Sequence, residues 1–108
     1  MKRGDVVLVV APGDYGKPRP AVVVQSDIFN ETHASIVVCL LSSDLQDAPL
    51  FRLTVEPTDQ NGLQAVSQIM VDKLVALKRD RIRAGVGFLD EDAMLRLNRS
   101  LMLFLGLP

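Results

Sequence analysis

Cysteine occurs once in this 108-residue chain, at Cys39, and histidine once, at His33; tryptophan is absent. A single cysteine excludes an internal disulfide and a cysteine-built metal site. A single histidine argues against a zinc centre and against any catalysis that needs two imidazoles. Long apolar runs are missing: Ile36–Leu41 is among the longest, far short of the roughly 20 residues of a bilayer span. No charged-then-apolar leader opens the chain, so the expectation is a soluble cytoplasmic protein without a membrane partner. Charge of one sign is also missing. Lys and Arg number 12 and Asp and Glu 13, a net charge of −1, so any anion site must come from local clustering. Walker, G-x-G-x-x-G and HExxH motifs are absent, as are repeats and low-complexity linkers.

Apolar residues make up 48% and charged residues 23%, an ordinary globular balance, and the length fits one domain over residues 1–108. Val6–Ala11, Pro20–Gln25 and Ser35–Leu41 are continuous apolar runs, the pattern of strands covered on both faces or of a small closed barrel. Between the first two lies a segment dense in turn residues, Pro12-Gly13-Asp14-Tyr15-Gly16-Lys17-Pro18; Asp27–Thr32 reads as a polar loop. Phe51–Glu56 alternates, with Phe51, Leu53 and Val55 on one face. Pro57–Gly62 is a turn cluster in which Asn61-Gly62 suits positive φ. Ala65–Leu77 satisfies helical and strand spacing alike, with strand favoured. Asp90 can cap a final helix carrying Met94, Leu97, Leu101 and Leu105 on one face, ended by Gly106. Several short strands and a terminal helix make a compact, mainly β, α+β domain.

Three local features could carry chemistry. Arg19 stands between Pro18 and Pro20, whose rings restrict its backbone, and a guanidinium offers planar donors suited to phosphate. The bland alternative is a solvated arginine at a strand start. Lys73, Lys78, Arg79, Arg81 and Arg83 outnumber Asp72 and Asp80 locally and could hold a polyanion, or could form a solvated edge. Ser42-Ser43-Asp44 ends an apolar strand, where a hydroxyl could reach a phosphate oxygen or simply make a turn. Tyr15 could stack a base or cover apolar surface. His33 reads as an exposed loop residue and Cys39 as a small core residue.

In order, the segments resemble the MazF/PemK (Kid) family of toxin endoribonucleases. The matching pieces are Lys2-Arg3-Gly4-Asp5-Val6, the glycine loop running into Arg19-Pro20-Ala21-Val22-Val23-Val24-Gln25-Ser26-Asp27, and Ile36–Leu41 ending in Ser42. Then follow Asn61-Gly62-Leu63, Ser67-Gln68-Ile69-Met70-Val71-Asp72-Lys73, the Arg79/Arg81 segment and the closing Leu105-Gly106-Leu107.

The resemblance implies an SH3-like β-barrel of the MazF/CcdB type with a C-terminal α-helix, working as a homodimer, and it favours strand over residues 65–77. It implies metal-independent, cofactor-free cleavage of single-stranded RNA at a short motif, leaving a 2′,3′-cyclic phosphate and a 5′-hydroxyl. It also implies a cognate antitoxin as partner. Arg19 matches the family's strand-start arginine, placed to stabilise the phosphorane; Ser42 matches a position that is commonly Thr; Asp72 matches an acid proposed as general base. Tyr15, Lys17, Gln68, Lys73 and Arg79 fall where RNA would be bound. Met70 stands where one branch has an arginine, and the first loop lacks the family's common Gly-Ser-Glu-Gln stretch. Two other readings compete: a non-catalytic member that only binds a partner, and a gyrase poison like the related CcdB.

Overall fold

The computed structural model describes all 108 residues. Six strands and a long C-terminal helix run in the order β1 (Asp5–Val9), β2 (Arg19–Val23), α1 (Asp27–Asn30), β3 (Ser35–Ser42), β4 (Arg52–Val55), β5 (Ser67–Lys78), β6 (Ile82–Phe88) and α2 (Glu91–Leu105), with a single 3-10 turn over Arg79–Arg81. The strands form one antiparallel sheet ordered β4-β5-β3-β2-β1-β6.

The continuous apolar runs have the predicted cause, since successive residues enter different cores. Val6, Val22, Cys39 and Leu41 pack with Ile69, Val71 and the α2 residues Ala93, Leu97 and Leu101. Their neighbours Val7, Val9, Ala21, Val23, Ile36 and Val38 enter a second core with Leu77. That second core is lined only by strand residues, with Leu40, Val75 and Ile82 completing it. Its members are buried without a helix over them, so the sheet itself must curl around them. The curl is the barrel-like part of the expected fold, but β4 and β6 remain unpaired edges and the barrel stays open.

The ambiguous 65–77 segment resolves as strand from Ser67 onward. β5 is long because it serves two partners: its first half lies between β4 and the end of β3, and its second half pairs with β3 alone. The β3–β5 register jumps between Cys39↔Leu74 and Leu41↔Ile69, so residues 70–73 face only Leu40 and form a bend there. This change of partner explains the mixed spacing, because the buried face switches across the bend. Leu53 and Val55 enter the first core with Phe51 against it, as the alternation requires.

Two elements differ from expectation. Asp27–Asn30 is a four-residue helix rather than an open loop: the Ser26 side chain accepts the Ile28 N–H, and Asn30 is buried. β6 had no strand signature, because only Ile82 and Val86 of its seven residues pack inward and Gly85 and Gly87 interrupt it. Gly87 and Gly62 allow β6 to lie against the 57–62 turn. A Cβ at Gly62, whose φ is +69°, would collide with the Val86 carbonyl. The turn is wired by buried Asn61, which accepts N–H bonds from Thr58 and Leu63 at 3.0 Å each and donates to the Glu56 carbonyl at 2.9 Å.

The Asp90 carboxylate caps α2 by accepting the Ala93 N–H at 2.8 Å, and Gly106 ends it at φ +70°. Met94, Leu97 and Leu101 face the first core. Leu105 leaves that stripe and is about half exposed, within an apolar surface that includes Met102, Leu103, Phe104 and Leu107.

Candidate active site

Arg19 opens β2 and Ser42 closes β3. The β2–β3 ladder pairs Val23↔Val38, Val22↔Cys39 and Ala21↔Leu40 and ends there; carried on by two residues, the same register would set Arg19 level with Ser42. Both point to the face of the second core, by alternation from Ala21 and Val23 on one strand and from Val38 and Leu40 on the other. Ser42 pairs in turn with Gln68, and Gln68 with Thr54. Thr54, Gln68 and Ser42 thus form one row of side chains across the sheet, and Arg19 opens the neighbouring strand at the same rim.

The Pro-Gly segment folds back towards Arg19. The Asp14 N–H donates to the Ala11 carbonyl at 3.3 Å and the Lys17 N–H to the Asp14 carbonyl at 3.0 Å. These turns bring Asp14 Oδ2 to 2.9 Å from Arg19 Nε. The contact is an ion pair without the alignment of a hydrogen bond. Neither terminal nitrogen of the Arg19 guanidinium is bonded within the protein, so its forked end is available. Asp14, Lys17, Pro18 and Arg19 line a small polar pocket of about 200 Å³. Sequence reasoning missed Asp14. Its five-residue spacing from Arg19 across a glycine turn was the available signal.

The Ser42 hydroxyl oxygen accepts the Asp44 N–H at 3.0 Å. A hydroxyl has one proton and two lone pairs. With a lone pair committed to Asp44, the proton remains to be donated to an incoming oxygen. On the opposite face of the sheet, Pro20, Ser43, Gln64 and Ser67 help line a groove of about 320 Å³.

The remaining expected site residues divide. Tyr15 sits at the loop tip fully exposed, with a φ of +55° that is unusual for an aromatic residue. Lys17 lines the Arg19 pocket, and Lys73 is exposed at the bend of β5. Gln68 is 5% exposed and its amide is fully engaged by the protein, so it offers nothing to a ligand directly. Arg79 is likewise engaged. It donates to the carbonyls of His33 at 2.8 Å and Asn30 at 2.7 Å, clasping the α1–β3 connection at the far end of β3 from Ser42. Both residues are placed as structural fasteners, not as open RNA contacts.

Asp72 lies at the β5 bend, opposite Leu40; one of its carboxylate oxygens is buried without a partner, and it makes no hydrogen bond or ion pair with Arg19 or Ser42. Its charge does reach the Cys39 thiol. Burial first, with the Asp72 charge adding to it, pushes that thiol up to about 12, against the opposing pull of Arg3. Cys39 is the inert core residue its setting in the sequence suggests.

Comparison with known proteins identifies the family and the fold. The sequence profile of the PemK-like, MazF-like toxins of type II toxin–antitoxin systems matches residues 2–105. The chain belongs to the PemK/MazF toxin family. A relative from Mycolicibacterium smegmatis described as a probable endoribonuclease MazF is 44% identical over 108 residues, covering 99% of this chain and 98% of its own length. Endoribonuclease EndoA of Bacillus subtilis is 25% identical over 111 residues, covering 99% of this chain and 96% of its own. Among solved structures, a mycobacterial endoribonuclease in complex with its cognate antitoxin superposes with a TM-score of 0.85 at 22% identity, covering 100% of this chain and 97% of the other. A MazE–MazF crystal structure from Deinococcus radiodurans gives 0.79 at 21% identity, covering 100% and 97%. The curled sheet with its terminal helix is thus the fold of this family.

Proposed function

We propose that this PemK/MazF-family chain is the toxin of a type II toxin–antitoxin pair, an endoribonuclease that cuts single-stranded RNA. The observation that carries the reading is that Arg19 opens β2 where Ser42 closes the neighbouring β3, with alternation aiming both to one face: a guanidinium with a free fork and a hydroxyl with a free proton. Family membership and the description of the 44% identical relative as an endoribonuclease support it, and favour it over the gyrase poison and the non-catalytic module.

The chemistry follows from those two donors. Attack of a ribose 2′-hydroxyl on the adjacent phosphorus closes a 2′,3′-cyclic phosphate and expels the 5′-oxygen of the next nucleotide, which takes a proton from water to become the 5′-hydroxyl. Negative charge builds on the non-bridging oxygens as the fifth bond forms. The Arg19 fork and the Ser42 O–H, already fixed, meet that charge where it develops. Asp14 holds Nε and so fixes the plane of the guanidinium. It is also the carboxylate beside the site, which makes it the acceptor for the 2′-hydroxyl proton. Asp72 takes no part in this step.

Tyr15 offers an aromatic face for a base, and Lys17 and Lys73 add positive charge for the backbone. The exposed apolar end of α2 borders a groove of about 550 Å³ lined by Val24, Leu74, Leu101, Met102 and Leu105 among others. That surface fits a homodimer, and the antitoxin would be a second protein partner. No helix is long and apolar enough to cross a membrane, and the proposed RNA substrate would be met in the cytoplasm.

Mapping product ends tests the reading. Fragments should carry 5′-hydroxyl and 2′,3′-cyclic phosphate termini; 5′-phosphate ends would refute this route.

A further inference from the structure

Gln68 is the residue whose surroundings the proposed chemistry leaves unexplained. A buried carboxamide is costly unless each of its groups finds a partner. Here all do. Nε2 donates to the Gln46 carbonyl at 2.9 Å and to Thr54 Oγ1 at 3.3 Å; Oε1 accepts the Gln46 N–H at 2.9 Å and Arg52 Nη1 at 3.4 Å. The amide therefore binds both backbone groups of Gln46, as a neighbouring strand would. Gln46 sits in the middle of the 43–50 connection, which has no other strand partner.

The same arrangement reaches Ser42. Arg52 donates through Nη1 to the Asp44 carbonyl at 3.2 Å, and Asp44 offers its N–H to Ser42 Oγ. Gln68 lies directly across from Ser42 in the β3–β5 register. The loop that supplies Ser42's donor is thus held at Gln46 by Gln68 and at Asp44 by Arg52, which itself leans on Gln68.

From this, and resting on the ribonuclease reading above, we infer that Gln68 is a positioning residue: it pins the 43–50 loop so that the Asp44 N–H occupies the Ser42 lone pair and turns the hydroxyl proton towards the scissile phosphate. Gln68 then acts through Ser42 and touches no RNA. Without the pin, the Asp44 amide drifts and the hydroxyl rotates among several acceptors. Misplacement of a reacting group by about 1 Å can cost on the order of 100-fold in rate.

The test is a double-mutant cycle on the full chain, using one long single-stranded RNA as probe. Gln68→Met, similar in volume, should lower kcat by roughly 10- to 100-fold with KM nearly unchanged. In the Ser42→Ala background the same substitution should have almost no further effect, because its route is already cut. Gln68→Glu keeps Oε1 as acceptor for Gln46 and Arg52, and should retain more activity than Gln68→Met. Losses that multiply in the double variant, or a raised KM with kcat intact, would overturn the inference; the latter would mean direct contact with RNA.

A second arm needs no activity. Amide hydrogen exchange at Asp44 and Gln46 should quicken in Gln68→Met while Val22 and Val38 keep their protection. Unchanged exchange at Asp44 and Gln46 would refute the pin. If the unmodified protein cuts no RNA, the ribonuclease reading fails, and the exchange arm still decides what Gln68 holds.

Discussion

Arg19 Nε lies 2.9 Å from Asp14 Oδ2, and the two are joined by a loop of only four residues. The contact presents the guanidinium edge-on, with its fork outward. A partly exposed ion pair of this kind adds little to stability, on the order of 0–1 kcal/mol. Its consequence is orientation.

Asp14 and Asp72 are the two carboxylates that compete for the base role. Asp14→Asn should lower RNA cleavage by about 10- to 1000-fold while leaving the fold intact, through lost orientation of Arg19 and loss of the proton acceptor. Asp72→Asn should stay within about threefold of the unmodified chain, since residues away from such features usually have small effects. Initial rates on one RNA substrate, with circular dichroism as a folding control, decide between them. The reverse ranking would return the base role to Asp72.

Self-association is predicted from the end of α2. Leu103 is 61% exposed beside Met102, Phe104 and Leu105, too much apolar surface to leave in water. Leu103→Glu should convert a dimer into a monomer in sedimentation velocity at micromolar concentration. A monomeric unmodified chain would contradict the assignment of this face.

Stability should fall in acid partly through Asp27. The Arg3 backbone N–H, at 2.7 Å, and the Asn30 side chain, at 2.9 Å, bond its carboxylate and hold it below the model-peptide value of 3.8. A carboxyl lowered in the folded state stabilises the fold above that value, and the contribution is lost as pH falls through the folded value. Asp27→Asn should therefore flatten the acid limb of a plot of unfolding midpoint against pH. An unchanged limb would show that the contact carries no linkage.

At the alkaline end the sign reverses. Cys39 is raised from 9.0 to about 12 by burial, so its neutral thiol favours the fold fully below pH 9, and that contribution is lost as pH rises towards 12. Alkylation by iodoacetamide at pH 8 should be negligible in the folded chain and complete in denaturant. Fast labelling of the native protein would contradict the burial.

How far the sequence could be read depended on how local each cause was. Val6–Ala11 and Ile36–Leu41 were legible because both faces of the curled sheet are buried, leaving unbroken apolar runs. Asp90 and Gly106 marked the ends of α2 because capping is a matter of a few neighbouring atoms. β6 was not legible: its place depends on pairing with β1, more than 70 residues earlier, and on close approach at Gly62 and Gly87. At the site, Arg19 and Ser42 stood out through their flanking residues and through family resemblance. Gln68 and Arg79 read as RNA contacts in the sequence because free and engaged side chains look alike there; their partners, Gln46, His33 and Asn30, are brought to them only by the fold. Asp14 was overlooked for the same reason, as its meeting with Arg19 is made by the turn at Gly16.

The role of Arg19 is decided by single-turnover cleavage of a long single-stranded RNA in EDTA, compared between the unmodified chain and Arg19→Ala. Discrete fragments from the former, with a rate at least about 100-fold lower in the latter, are expected of a donor that meets developing charge. Equal rates in the two proteins, or no cleavage by either, would contradict it.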